Sequence, residues 1–238
     1  MNIQEQFIDR RHFLKLGATE AVMLAIASNL CWRTKPVQAA ELPTDTLSKP
    51  DAALQKLLEG NQRFTRHQPQ YPHQSHARMQ ELAQTQHPFA TVLTCADSRV
   101  PVELLFDQGI GDIFDIRVAG NIATPETIGS IEYAVALLGT PVVMVLGHER
   151  CGAVTAAVNN NVTLPGEIGS FVEAILPAVA KVKGLSGDAV DNAVIANVHY
   201  QIEQLKRSPV LTERLRSGDL KIVGGRYDLD TGTVKILI

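Results

Sequence analysis

The seven residues from Pro141 to Gly147, PVVMVLG, carry no polar side chain. A strand with one face in water alternates apolar and polar residues, whereas a strand that is apolar at every position has two faces to bury. Seven residues are too few for an ordinary amphipathic helix. The run therefore predicts an interior strand of a parallel sheet with helices packed on both faces. The rest of the chain has to supply those helices and the neighbouring strands.

It does so in alternation. DAALQKLLEGNQRFTR (Asp51 to Arg66) places Ala53, Leu54, Leu57, Leu58 and Phe64 at helical spacing. A His-, Gln- and Pro-rich stretch to Pro72 reads as loop. FATVLT (Phe89 to Thr94) predicts a buried strand, PVELLFD a short helix, and DIFDIRV (Asp112 to Val118) a second strand. TPETIGSIEYAVALLG predicts a helix with Pro125 in its first turn and Gly139 as its stop. CGAVTAAV opens another helix after the Pro141–Gly147 strand, and helical pattern dominates from Phe171 to about Leu215. LKIVGGRYDLDTGTVKILI then gives two strands around DTG, a hairpin signal. The predicted fold class is α/β: a single domain with a mainly parallel central β-sheet flanked by helices and an antiparallel C-terminal edge hairpin. A chain of 238 residues, 45% of them apolar, has material for one such core. Its formal net charge of −3 offers no overall basic footprint for nucleic acid.

The N-terminus reads differently. DRRHFLKLG (Asp9 to Gly17) carries a twin arginine, Arg10 and Arg11, followed by Phe13, Leu14 and Lys15. A moderately apolar run, ATEAVMLAIASNL, comes next, and VQAAEL then offers small residues to a signal peptidase. This order resembles a twin-arginine export signal over residues 1–39, cleaved after Ala39 or one residue later, ahead of a domain at residues 40–238. The alternative is a short N-terminal helix with a chance arginine pair. The apolar run is short for a membrane span and contains Glu20, so membrane contact is expected only if the segment is not cleaved. The expected location is periplasmic, with the thylakoid lumen or a membrane tether as alternatives. Cleavage removes Cys31 and leaves Cys95 and Cys151. In an oxidising compartment two cysteines could form one disulfide.

The chemistry gathers at two strand ends. The first predicted strand runs into CADSRV (Cys95 to Val100) and the strand at Pro141–Gly147 runs into HERCG (His148 to Gly152). Side chains at the carboxyl ends of parallel strands line one crevice, so the two runs can lie side by side. That brings two thiols and an imidazole together. Zinc takes tetrahedral N/S ligation, and a catalytic site supplies three protein ligands and leaves one position open. Cys95, His148 and Cys151 are three such ligands. A phosphatase-type cysteine loop spaces its Cys and Arg by five residues, whereas Cys95 and Arg99 are separated by three. A Cys95–His148 nucleophile pair remains an alternative, although it leaves Cys151 without a role. A structural four-ligand site would need another Cys or His nearby, and Asp97 is the nearest oxygen candidate.

CADSR followed by HERCG resembles the β-class carbonic anhydrases, of the plant-like type. GSIEYAV and YDLDTGTV also look like segments of that family, and the resemblance covers nearly the whole chain after residue 39. It implies zinc-dependent, reversible hydration of CO2 to bicarbonate and a proton by zinc-bound hydroxide, with one Zn2+ per chain held by Cys95, His148 and Cys151. It implies a homodimer as the building unit, often doubled to a tetramer. Asp97 and Arg99 are then the catalytic pair: the Asp97 carboxylate accepts a hydrogen bond from the reacting water, and Arg99 holds the carboxylate. In a closed state of some relatives the residue matching Asp97 becomes a fourth zinc ligand. By the same match Gln86, Phe114, Val118, Tyr133 and Gly152 line the substrate pocket, Gln86 in part across the dimer interface. Gln86 otherwise reads as a solvated loop residue, and Phe114 and Tyr133 as core packing.

Two departures stand out. Relatives with a non-catalytic bicarbonate site carry Trp three residues before the first zinc cysteine; that position is Val92, and the chain's one Trp, Trp32, lies in the export segment. RVAGN (Arg117 to Asn121) replaces the RNxAN of the plant enzymes. His67, His73, His76, His87 and His199 are candidate proton shuttles that the sequence does not rank. Alternative functions are a CS2 or COS hydrolase of the same fold and a non-catalytic exported zinc-binding protein.

Overall fold

The computed structural model describes residues 47–159 and 164–238. The export signal expected at residues 1–39, with Cys31 and Trp32, lies outside them. Helix α1 (Pro50–Thr65) is followed by α2 (His76–Leu82), β1 (Ala90–Thr94), the short α3 (Val102–Leu105), β2 (Ile113–Arg117) and a 3-10 turn (Ala119–Asn121). Then come α4 (Pro125–Ala136), β3 (Val142–His148), α5 (Gly152–Val158), α6 (Ile168–Val182), α7 (Ala189–Leu205), α8 (Pro209–Ser217), β4 (Lys221–Tyr227) and β5 (Val234–Ile236). The predicted α/β class is borne out, and the long helical stretch after Phe171 resolves into α6, α7 and α8.

The strands form one sheet in the order β2-β1-β3-β4-β5. The first four are parallel and β5 runs antiparallel to β4 as the C-terminal edge. All seven residues of β3 are buried. Their alternation explains the apolar run: Val142, Met144 and Leu146 join Leu57, Leu105 and Phe106 in the core under α1 and α3. Val143 and Val145 join Ile131, Val198, Ile202 and Leu205 under α4 and α7. Each fully buried Leu, Val or Phe side chain stabilises the fold by about 1.5–3 kcal/mol relative to exposure, so β3 anchors both layers. Gly147 allows the closest of these contacts, since a Cβ there would come within 2.7 Å of Val198 Cγ2.

Helix ends follow local chemistry. Thr124 caps α4 in a reciprocal capping box with Thr127, and Pro125 occupies the first turn. Ser208 caps α8, which stops at Gly218 in the left-handed region (φ 80°). Helix α2 has no buried residue, so it leaves no apolar periodicity in the sequence; Ser75 as its N-cap is its one local signal.

Chain order matters more than shape for the site. From β1 the chain crosses to β2 on one side and then to β3 on the other, so β1 and β3 are neighbours whose connections leave in opposite directions. In open α/β sheets a crevice forms outside the carboxyl ends of such a strand pair. Cys95 follows β1 directly and His148 ends β3.

Candidate active site

The donor atoms of Cys95, His148 and Cys151 lie within 4.8 Å of one another, and all three residues are buried. The two sulfurs are 3.9 Å apart and both cysteines are free. A disulfide needs about 2.05 Å, whereas two thiolates on one tetrahedral zinc at about 2.3 Å stand roughly 3.8 Å apart. The imidazole is oriented for the same purpose. Nδ1 of His148 lies 2.8 Å from the carbonyl oxygen of Glu149, which accepts the ring N–H and leaves Nε2 as the bare nitrogen. Nε2 is buried and has no hydrogen-bond partner. An orphaned buried acceptor beside two thiols fits a zinc ion. The thiols also share a hydrogen bond, which pulls the Cys95 thiol down and, with burial, pushes Cys151 up.

The loop after β1 turns tightly, with Val100 N–H donating to the Asp97 carbonyl (3.0 Å). That turn folds Arg99 back on Asp97. Arg99 donates from its backbone N–H (2.9 Å) and Nε (3.0 Å) to Oδ1, and from Nη2 (2.8 Å) to Oδ2. The Arg99 guanidinium is the main reason the Asp97 carboxyl is held well below the usual carboxylate range. Oδ2 lies 3.9 Å from His148 Nε2. Asp97 is thus an ionised acceptor at the edge of the Cys95–His148–Cys151 trio, facing Arg99.

Further residues brace the two loops, and the sequence did not reveal them. Arg117 donates from Nε and Nη2 to the Cys95 carbonyl (3.3 Å each) and from Nη2 to the Asp97 carbonyl (2.6 Å). The loop after β3 is held by the C-terminal hairpin. Glu149 accepts from Arg226 (2.6 Å) and from the Leu229 amide (3.1 Å), and Arg150 forks onto both oxygens of Asp230 (2.9 and 2.8 Å). Arg150 is in the left-handed region (φ 48°), a conformation that side chains other than Gly, Asn and Asp rarely adopt, and it tightens the turn between His148 and Cys151. A polar atom of Asn121, Nδ2, is also buried without a partner.

The remaining expected pocket residues are spread out. Val118 packs at the junction of two core clusters and donates its N–H to the Thr94 carbonyl (3.1 Å), next to Cys95. Gly152 follows Cys151 as the exposed first residue of α5. Gln86 is exposed in the segment before β1. Phe114 and Tyr133 pack on each other with ring centroids 6.1 Å apart. Phe114 lies on edge strand β2 opposite Thr91, about 10 Å of strand short of the loop that holds Cys95, and Tyr133 is 46% exposed. Val92 is fully buried in the middle of β1. Of the candidate shuttles, His73 is committed to Asp112 (2.8 Å).

The family model described as carbonic anhydrase matches residues 90–234. Carbonic anhydrase 2 of Mycobacterium tuberculosis is 44% identical over 191 residues, 78% of this chain and 91% of that protein. Among solved structures, the β-carbonic anhydrase CcaA is 30% identical with a TM-score of 0.62, over 77% of this chain and 94% of that one. The Coccomyxa β-carbonic anhydrase, solved in complex with acetazolamide, is 32% identical with a TM-score of 0.59, over 67% of this chain and 76% of that one.

Proposed function

Because this chain belongs to the β-class carbonic anhydrases and interconverts CO2 and bicarbonate, we propose that Cys95, His148 and Cys151 hold its zinc and that Asp97 and Arg99 handle the water. The observation that carries this reading is the bare, buried Nε2 of His148 beside two sulfurs 3.9 Å apart. Zinc supplies Lewis acidity, which makes water a nucleophile near neutral pH. The other contributions belong to the chain. Two thiolates balance the charge of Zn2+. Oδ2 of Asp97, 3.9 Å from His148 Nε2, has acceptor capacity beyond Arg99 and would accept a hydrogen bond from the reacting water and fix its orientation. Arg99 keeps that carboxylate ionised and aimed. Arg117 fixes the height of the loop through two carbonyls. The Asp97–Arg99 pair, formed as it is, supports an open site in which Asp97 is not a ligand.

Several finer features rest on the same reading. Val118, beside Cys95, and Gly152, beside Cys151, would bound the space for CO2. Half-buried Phe114 on edge strand β2, packed against the exposed Tyr133 of α4, supports a homodimer or tetramer in which these rings and Gln86 complete a neighbouring subunit's pocket. Val92 in place of Trp supports the absence of a separate inhibitory bicarbonate site. The twin arginine at Arg10–Arg11 supports export to the periplasm. Among the described residues no helix is long and apolar enough to cross a membrane. Stopped-flow CO2 hydration on zinc-loaded protein, with zinc counted per chain and acetazolamide added as inhibitor, tests the site. One zinc per chain with inhibitable hydration is expected. Full hydration by a protein lacking zinc would overturn the assignment, and CS2 or COS hydrolysis without CO2 hydration would favour the alternative substrate class.

A further inference from the structure

Behind Cys95 a line of buried amides runs from helix α7 to the sulfur. Gly120, in the 3-10 turn after β2, donates its backbone N–H to Cys95 Sγ at 3.3 Å. Its carbonyl accepts from Asn197 Nδ2 at 2.8 Å, and Asn197 Oδ1 accepts from Gln201 Nε2 at 2.8 Å. Gln201 Oε1 in turn accepts the Ala123 N–H at 2.9 Å. Asn197 and Gln201 are one helical turn apart, and their exposures are 0% and 1%.

The line has one direction. It starts at a backbone N–H, Ala123, and ends at a backbone C=O, Gly120. Each amide side chain in between therefore has only one orientation that leaves no donor facing a donor. The Ala123 N–H sets Gln201, Gln201 sets Asn197, and Asn197 holds the Gly120 carbonyl. With its carbonyl held on one side, Gly120 keeps its N–H turned toward the sulfur. The turn depends on glycine: φ is 74°, and a Cβ would come within 2.5 Å of Ile175 Cδ1. Two apolar side chains on α7 would fill the same space without the risk of unsatisfied buried amides. The amides grip both ends of the Gly120–Ala123 segment and fix a dipole on the thiolate.

We propose that Asn197 and Gln201 are positioning residues for Cys95. They hold the Gly120 N–H on Sγ, and through that hydrogen bond they set how strongly the sulfur donates to the metal. The inference rests on Cys95 being a zinc ligand. Hydrogen bonds to a ligating sulfur tune the metal, and loss of an outer partner of a ligand typically costs 10–100-fold in affinity or activity.

The test uses the full chain loaded with Co2+ and with Zn2+, comparing the parent with Asn197→Asp and Gln201→Met. Asn197→Asp keeps the shape but turns an oxygen onto the Gly120 carbonyl; Gln201→Met keeps the length but removes both polar atoms. The parent is expected to show a sulfur-to-cobalt charge-transfer band. In the variants that band moves to lower energy as the sulfur loses its N–H, and zinc affinity in chelator competition falls by about 10–100-fold. In parent protein loaded with 113Cd, the Gly120 amide proton is expected to couple to the metal through Sγ. A parent without the cobalt band would show that the ligand assignment itself is wrong. A parent with the band but without the Gly120 coupling, or folded variants with unmoved band and affinity, would overturn the positioning role alone. If both variants fail to fold, the amides are structural supports and the proposal also fails.

Discussion

Oδ2 of Asp97 stands 3.9 Å from Nε2 of His148, while Arg99 contacts both oxygens of the same carboxylate. The carboxylate is thus beside the Cys95–His148–Cys151 trio and held by Arg99. Asp97→Asn is expected to keep one zinc per chain, because three protein ligands remain, and to lower CO2 hydration by about 10²–10⁴-fold, the range for a positioned proton-handling group. Arg99→Ala should act in the same direction through a misplaced Asp97. Zinc content and the pH–rate profile of both variants are the measurements. Parental hydration by Asp97→Asn across the whole pH range would make Asp97 a structural residue.

Cys151→Ser should lose most of the zinc, since a hydroxyl is a poor ligand beside thiolate. Metal analysis after dialysis against a chelator reads this directly. A variant that retains tightly bound zinc and a near-normal rate would mean that Cys151 is not a ligand.

Asp115 gives the pH prediction. It sits on β2 with Oδ1 buried and unpartnered. Burial, reinforced by Glu103 and opposed by Arg117, pushes its pKa up to about 6. A raised carboxyl pKa means that the folded state prefers the neutral acid. Below the ordinary carboxylate range both states are protonated and the site is neutral in effect. As pH rises from there to about 6 the unfolded chain ionises first, stability falls, and the penalty then persists. Asp115→Asn should therefore be more stable than the parent by about 1 kcal/mol at pH 8, a figure discounted for partial exposure, with little difference near pH 4. Thermal unfolding of the two proteins at both pH values checks the sign; an equal gain at pH 4 would rule out ionisation as the cause.

Replacing Arg10 and Arg11 by Lys should leave active enzyme inside the cell, because twin-arginine signals are read as an address. Assaying hydration in cytoplasmic and periplasmic fractions decides it, and normal export of the double variant would remove the hypothesis.

The sheet and the meeting of Cys95, His148 and Cys151 were legible because each rests on a local pattern. An all-apolar run such as PVVMVLG can hardly be anything but an interior strand; HERCG follows it directly, and CADSR follows the mostly apolar FATVLT. What stayed hidden depends on distance in sequence. Arg117 looked like a charged residue at a strand end until the fold placed it under the Cys95 and Asp97 carbonyls. Glu149 and Arg226 are 77 residues apart, and no local spacing announces such a pair. Asn197 and Gln201 are polar residues one turn apart on a helix, and both are turned inward. Helix α2 was missed for the opposite reason, since it buries nothing. Phe114 and Tyr133 do pair, but Phe114 is on edge strand β2 and Tyr133 on helix α4, away from the loop that holds Cys95.

The order β2-β1-β3 also governs when the ligands meet in time. Cys95 and Cys151 are separated by 56 positions, and β1 and β3 become neighbours only after the chain has crossed to β2 and back. An unfolded chain presents its ligands as scattered, weak donors, so a metal ion has little to hold until that parallel pairing exists. A ligand that binds only the completed crevice lengthens the lifetime of the native state and leaves the rate of reaching it nearly untouched. Bound at these residues, zinc would be a latch rather than a seed, slowing escape from a structure that the apolar strands have already assembled.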